Sequence, residues 1–462
     1  MLVEREADVV RYFVREDFNP GSSKQILAYM RAKGIKPGRN YKTGADSTDH
    51  DTLVKLARKD PFFAKILEFR EVQKIKTTYV GPNLARAGQD SESRIHSQFL
   101  HAPSNMRLSS IEPNLQNTPD DDDPISLARR FRNCIVASPG CLLVEADFNA
   151  IEAVLTGYFC GDLNLMRIAT MGVHSLVLAN LLDEPVDLSW PDAELARALS
   201  TIKAKHKSTP EYRGCKAAVH ATDYGGSAMA VYMANPEVFG SLKRAQEICQ
   251  LYLDLFPTLP PWWKALRERA SKEHYLGGAD HPFRYKHWFW DVTAYDAKRG
   301  KVPGSDWNKV CAFYPASTAA GVLYESALRL TDPASPYFIA DLYFGKTPLR
   351  SLIHDSILGE IPISSLDHYI DRLSSSMTLP LRQLPYKNED GNPAFLSFGV
   401  DIKVGRDWGS MVPIKQYKST KILTFQKGGD HSGQEERQEE VLDVSTGPEV
   451  TSLPAPNSQE PS

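Results

Sequence analysis

The chain has 462 residues, a formal net charge of −3, and 42% hydrophobic against 24% charged residues. That is the profile of a globular protein with a sizeable core divided over roughly two to four subdomains, not of a fibrous or wholly disordered chain. Six cysteines (Cys134, Cys141, Cys160, Cys215, Cys249, Cys311) lie far apart with no CxxC pair, which argues against a zinc ribbon or a disulfide framework and fits a reducing, cytoplasmic setting. The N-terminus MLVEREADVVR is too charged for a signal peptide, and no apolar run reaches the ~18 residues needed to cross a membrane, so no membrane partner is expected.

From the N-terminus to about residue 80 the pattern is helical. A turn at FNPGSS offers Ser22 or Ser23 as cap of a helix KQILAYMRAKG that ends at Gly34. After a polar loop, Asp46-Ser47-Thr48 leads into a second helix, DHDTLVKLARK. A longer helix is predicted from Pro61 to about Tyr79, with Phe62, Ile66, Phe69 and Ile75 on one face and Lys65, Lys74 and Lys76 outside it. Such a basic face suits phosphates or plain solvent equally. Residues 93–119 are irregular and rich in hydrogen-bonding groups, among them Arg94, His96, Arg107, Asn114, Gln116 and Asn117. These can meet sugar, phosphate or minor-groove acceptors, although polar loops are common. The run Asp120–Asp123 is expected to form a surface turn, because consecutive aspartates cannot all converge on one ion.

The stretch CLLVEADFNAIEAVLTGY, residues 141–158, organises the rest. Cys141 to Ala146 is an apolar run interrupted only by Glu145, which predicts a buried strand with Asp147 at its end. Ile151, Val154, Leu155 and Tyr158 then recur at helical spacing. A carboxylate at the edge of a buried strand is costly without a partner, and a divalent metal is one such partner. The plainer role for an Asp at a strand–helix junction is that of a cap.

In YRGCKAAVHATDYGGS, Lys216, His220 and Tyr224 fall at i, i+4 and i+8, with Arg213 three before Lys216, so one helical stripe carries all four before Gly225-Gly226 ends it. Cations spaced along one face match a polyphosphate; the alternative is a solvent-exposed stripe. Residues 275–305 are dense in aromatics and bases (His281, Arg284, Tyr285, Lys286, His287, Trp288, Trp290). They can stack bases, or form a β-hairpin that packs its rings. Residues 312–330 predict a helix whose small residues Ala316–Gly321 allow close approach by another backbone. LRSLIHDSILGEIP, residues 349–362, alternates about His354-Asp355 and reads as a hairpin with those two at its tip. FLSFGVDIKVG is strand-like, and after about Val412 the chain turns to Ser, Pro, Gln, Glu and Gly. From Gly428 one Arg stands against eight acids, giving a tail of −7 on a mildly basic body. That composition predicts a disordered acidic tail. No internal repeat is visible.

Taken in order, FNPGSSKQ, LEFREVQKIKTTYV, RLSSIEPNLQN, ADFNAIEAVLTGYF (motif A), KAAVHATDYGG (motif B) and IHDSI (motif C) resemble a family A, DNA polymerase I-like DNA polymerase over roughly residues 16–410. The resemblance implies an α+β right-hand fold: thumb 1–92, palm 93–170 and 306–412 with an antiparallel sheet, helical fingers 171–305, and the tail from 413. It implies 5′–3′ template-directed addition of deoxynucleoside triphosphates to a primer 3′-OH on primer–template DNA. Two Mg²⁺ ions, with Mn²⁺ able to substitute, would be held by Asp147 and Asp355. Lys216 matches the lysine that contacts the triphosphate, Glu152 a steric gate against a ribose 2′-OH, and Tyr224 the tyrosine closing the nucleotide pocket, its hydroxyl within reach of Glu152. His174 matches a contact to the incoming phosphates. Arg107, Asn114, Gln116, Asn117 and His354 match contacts to the nascent pair, template and primer terminus.

Four positions depart from the pattern. Tyr212 stands where Arg is usual, one residue before Arg213. His220 replaces Phe or Tyr, Ala316 replaces Gln, and Ser356 stands where Glu often follows the motif C Asp. The domain content further suggests a phage-type replication polymerase without a 3′–5′ exonuclease domain, whose tail recruits replisome proteins. Two other readings compete. A single-subunit RNA polymerase is disfavoured by Glu152, and a catalytically dead DNA-binding accessory is disfavoured by the retained acids and Lys216.

Overall fold

The computed structural model describes residues 18–417, apart from residues 40–43, 58, 102–104, 120–125, 297, 299, 340–347 and 389. The expected turn at Asp120–Asp123 and nearly all of the expected tail lie outside the described residues. So do residues 1–17.

An antiparallel five-stranded sheet forms the floor. Its central strand, Cys141–Phe148, lies between Ser356–Pro362 on one side and Val400–Gly405 on the other, with Leu349–Ile353 and Val412–Pro413 at the edges. Both faces of the central strand are covered, which is why its sequence is nearly continuous in apolar residues. Leu142, Val144, Ala146 and Phe148 point into the main core with Ile151, Leu155, Val322, Leu323 and Tyr369. Cys141 and Leu143 point the other way, against Ile353, Leu358 and Trp408. Glu145 shares that second face, where Ser356 Oγ (3.1 Å) and Trp408 Nε1 (3.4 Å) donate to it. The strand runs to Phe148, so Asp147 is its penultimate residue rather than the first one beyond it.

The sheet is anchored at Glu360, whose side chain is only 4% exposed. Burial would raise this carboxyl. The Ser138 amide (2.6 Å) and hydroxyl, then Arg350 (3.0 Å) and Arg94 (3.2 Å), overcome that and hold it at about 2. Its folded value lies below the ordinary value of 4.5, so its contribution is complete above about pH 4.5 and is lost as the pH falls toward 2. Glu360→Gln is expected to lower the unfolding free energy at pH 7 by about 3 kcal/mol and to flatten its acid limb, read from urea midpoints between pH 2 and 7. An unchanged acid limb would show that these arginines do not stabilise the sheet through Glu360.

Helices fill the remainder. The segment Ser23–Ala32 is capped by Ser22, whose side chain accepts from the Gln25 amide. It packs with Leu53, Phe63 and Ile66 in a small separate core. The helix beginning at Pro61 continues through a wider-wound stretch, Ile75–Val80, to Ala87, past its expected end. Of the expected apolar face Ile66 and Ile75 are buried and Phe62 partly so, but Phe63 is the most buried ring and Phe69 is 38% exposed. A second large core is built almost wholly from helices and includes Leu176, Val177, Leu199, Cys215, Val219 and Tyr252. The long helix Trp307–Thr331 joins the parts, with Ala316–Gly321 all buried. What approaches Gly321 is the Phe283 ring, which an added Cβ would overlap, not another backbone. All six cysteines are free. Among the described residues no helix is long and apolar enough to cross a membrane.

Candidate active site

The hairpin Leu349–Ile353/Ser356–Pro362 turns at His354-Asp355. His354 has φ +52°, as tight two-residue hairpin turns require at their first central position. The turn brings the tip onto the end of the central strand. Ser356 lies directly opposite Asp147, and the Phe148 amide donates to the Asp355 carbonyl at 3.3 Å. Two aspartates separated by about two hundred residues in sequence thus become neighbours across a ladder. Asp147 does not cap the following helix. Ala150, with φ +49°, occupies that position, and no side chain caps there.

The electrostatics of the pair are unbalanced. Partial burial, then the charges of Asp355 and Glu145, push the Asp147 carboxyl up to about 6; Lys403 opposes this and Asp401 adds to it. Asp401 lies opposite Asp147 on the other neighbouring strand, so the two side chains share one face. Sequence reasoning misses Asp401. The alternation in VDIKV is the signal that could reveal it, because it sets Asp401 and Lys403 on one face.

Glu152 sits in the first turn of the helix Ile151–Cys160. Arg107 Nη2 donates to Glu152 and, at 2.7 Å, to Asp355 Oδ1. Burial pushes Glu152 up to about 7, with Arg107 opposing and Asp355 adding to the rise. Arg107 is therefore the counter-charge of the acidic cluster, and its Nε is buried without a partner. The expected bond between Tyr224 and Glu152 is not formed; Glu152 faces Arg107 instead.

The loop behind Arg107 is tied down. Tyr324, on the long helix, donates to the Met106 carbonyl at 2.9 Å. Gln116 accepts from the Ser110 amide (3.0 Å) and donates to the Leu352 carbonyl (3.1 Å). Gln116 is thus occupied inside the protein and not displayed as a free donor. Asn114 and Asn117 are less enclosed, with Asn114 Oδ1 accepting from the Asn117 amide.

The basic helix spans Pro210–Asp223, with Tyr224 as its C-terminal cap. Tyr212 is buried, whereas Arg213 and Lys216 are exposed. Neither cation pairs with a carboxylate among the described residues. The His174 ring lies 5.2 Å from that of His220, and its Nε2 is buried with no partner. Burial, then the charges of His220 and Lys216, push His174 down to about 3, so it is neutral at physiological pH. Histidines and unpaired cations on one surface suit an anion. At its other end the helix carries Asp223, which sequence reasoning also misses. It is buried, accepts from the Tyr252 hydroxyl, and is pushed by burial up to about 7, with Glu152 contributing. The end bearing Tyr224 therefore borders the acidic cluster.

Two adjacent carboxylates are hard oxygen ligands, and Asp147, raised by burial and by the acids around it, would be eased by a divalent ion such as Mg²⁺. Ser356 bears on the same fit, since Glu145 brings a carboxylate to within 3.1 Å of its hydroxyl.

This arrangement has relatives. DNA polymerase I, thermostable, from Thermus filiformis is 26% identical over 397 residues, which are 85% of this chain and 42% of that protein. DNA polymerase I from Treponema pallidum is 29% identical over 263 residues, 56% of this chain and 24% of its own length. A thermostable DNA polymerase I from Thermus thermophilus is 37% identical over 242 residues, 52% of this chain and 26% of its own. This chain therefore spans less than half the length of each. Among solved structures, the POL domain of Pol1 from M. smegmatis, in complex with DNA primer-template and dNTP, has the same fold, with a TM-score of 0.62 at 20% identity over 88% of this chain and 64% of that one. The family model "DNA polymerase family A" matches residues 2–280, a stretch that holds Arg107, Asp147, Glu152 and the basic helix but stops short of Asp355. With more than half of its length under that model and an α+β fold of the palm, fingers and thumb kind, the chain belongs to DNA polymerase family A.

Proposed function

We propose that the chain is a template-directed DNA polymerase that extends a primer 3′-OH with deoxynucleoside triphosphates. The observation carrying this reading is the adjacency of Asp147 and Asp355 at one end of the sheet, with Arg107 joining Asp355 to Glu152. In this reading residues 1–92 are the thumb, 93–170 and 306–412 the palm, 171–305 the fingers, and 413–462 the tail.

Asp147 and Asp355 would hold two Mg²⁺ ions, which when bound lower the charge of the triphosphate and align attacking and leaving oxygens. Arg213, Lys216, His174 and His220 receive the triphosphate. Lys216 is the candidate proton donor to the leaving group. His174, held neutral, can share a hydrogen bond with a phosphate oxygen without adding charge. Glu152, braced by Arg107, limits room beside the sugar 2′ carbon, and Tyr224 forms the pocket wall next to it. Arg107, His354, Asn114 and Asn117 meet the primer terminus and template, while Gln116 holds their loop in place. His220 presents an imidazole to the sugar where an aromatic hydrocarbon ring is usual, which weakens stacking there.

The test is extension of a labelled primer on a DNA template with Mg²⁺ and either dNTPs or rNTPs. Extension with dNTPs in clear preference to rNTPs is expected. Equal or greater use of rNTPs would favour an RNA polymerase, and absence of extension with retained DNA binding would favour an accessory protein.

A further inference from the structure

The hairpin Tyr275–Gly277/Lys286–Trp288 has two unlike faces. Its inner face is ordinary. Leu276 and Phe289 are buried, and the His287 and Phe289 rings lie 6.3 and 5.8 Å from Phe313 of the long helix. The outer face of a solvated antiparallel hairpin should be polar. Here it carries Tyr275, Lys286, Trp288 and, just beyond the strand, Trp290. Trp288 is 47% and Trp290 72% exposed. The two indoles are parallel to within 4° at 5.6 Å between centroids, and His274 stacks on Trp290 at 5.5 Å and 22°. Lys286 Nζ lies 3.7 Å from the centre of Tyr275 and 4.5 Å from that of Trp288.

We propose that this outer face is a stacking platform for unpaired nucleotides of single-stranded DNA. Parallel exposed rings form a column that bases can continue, whatever their identity, because every base has a π-face. Charge selects the occupant. Among the neighbouring carboxylates Lys309 holds Asp306 (2.9 Å), Arg269 is shared between Glu273 (3.0 Å) and Asp280, and Asp291 accepts from the Ser305 amide. Lys286 and Arg284 pair with no carboxylate among the described residues, and Lys286 lies over the rings themselves, where it can meet the phosphate of a base stacked there. The hairpin packs on the long helix that also positions Met106 next to Arg107, which ties the platform to the site. The choice of DNA rests on the polymerase reading and adds to it where unpaired template lies.

The test uses the full chain and fluorescein-labelled oligo(dT) of about 20 nucleotides, a length well beyond one stacking site. Wild-type tryptophan fluorescence should be quenched on binding, and Trp288→Ala/Trp290→Ala should bind about 10- to 100-fold more weakly. Trp288→Phe/Trp290→Phe should recover most of the affinity, which separates stacking from loss of fold. Lys286→Gln should weaken binding and lower its salt dependence. Affinity for a blunt duplex should not change. Oligo(dT) binding by the alanine pair at wild-type strength, or an unquenched wild type, overturns the proposal, as does binding of the aromatic face to anionic vesicles but not to oligo(dT). Tryptophan-dependent oligo(dT) binding without any primer extension would sink the polymerase reading and leave the platform standing.

Discussion

Replacing either aspartate by alanine, Asp147→Ala or Asp355→Ala, is expected to reduce primer extension by at least about 10³-fold, on the scale of losing a preorganised electrostatic group at a reacting phosphate. The loss should come without unfolding. Without bound metal the Asp147 carboxyl, at about 6, sits above its ordinary value of 3.8. A carboxyl raised on folding opposes folding once ionised, so removing it should leave thermal stability at pH 7.5 unchanged or slightly higher. The same sign fixes the metal dependence. Mg²⁺ must displace protons, so its half-saturating concentration should climb as the pH drops below about 6–7, the range of Asp147 and Glu152. A Mg²⁺ titration of thermal stability at about pH 5.5, 6.5 and 7.5 would read this directly, and Asp147→Ala should abolish the shift. Undiminished extension by either alanine variant would end the two-ion assignment.

The second large effect concerns sugar selection. Glu152→Ala should relax discrimination against ribonucleotides by about 5- to 150-fold, the range of about 1–3 kcal/mol for forcing an extra group into a packed space. Glu152 has a fixed position to lose, since Arg107 holds it from one side while the helix start holds its backbone. Removing it leaves Arg107 on Asp355 alone, so dNTP extension should also fall, but by less than rNTP use rises. Ratios of kcat/KM for a matched dNTP and rNTP measure this. An unchanged ratio would show that Glu152 is only the counter-ion of Arg107.

Much of this site is legible in the amino-acid sequence. The run Cys141–Ala146 announces a doubly buried strand, and the alternation about His354-Asp355 announces a hairpin tip. Antiparallel pairing then does what sequence cannot, setting Ser356 opposite Asp147. The helical stripe at Arg213, Lys216 and His220 is visible in its spacing, because period is a local property. Pairings that depend on three-dimensional neighbours are not visible. The sequence suggests Tyr224 as the partner of Glu152, but the partner is Arg107, 45 residues away in a loop without periodicity. Gln116 reads as a donor for DNA and is spent on Leu352, 236 residues on. The deeper burial of Phe63 than of Phe62 on the Pro61 helix has a different cause. Phe62 and Phe63 are adjacent and equally apolar, and only the packing of Tyr29 and Ile66 decides which ring turns inward.

The amide of Gln116 grips the Leu352 carbonyl three residues before Asp355, while Arg107 at the head of the same loop grips Asp355 itself. Loop and hairpin are therefore clamped at two points and travel together. A force applied to the loop by a docking strand is delivered to the carboxylate rather than absorbed by slack. It follows that this segment, expected to be irregular but carrying the strand Ser109–Ile111 paired with Gln98–Leu100, should tolerate insertions poorly: one added residue between 107 and 116 would have to unfasten one clamp to keep the other.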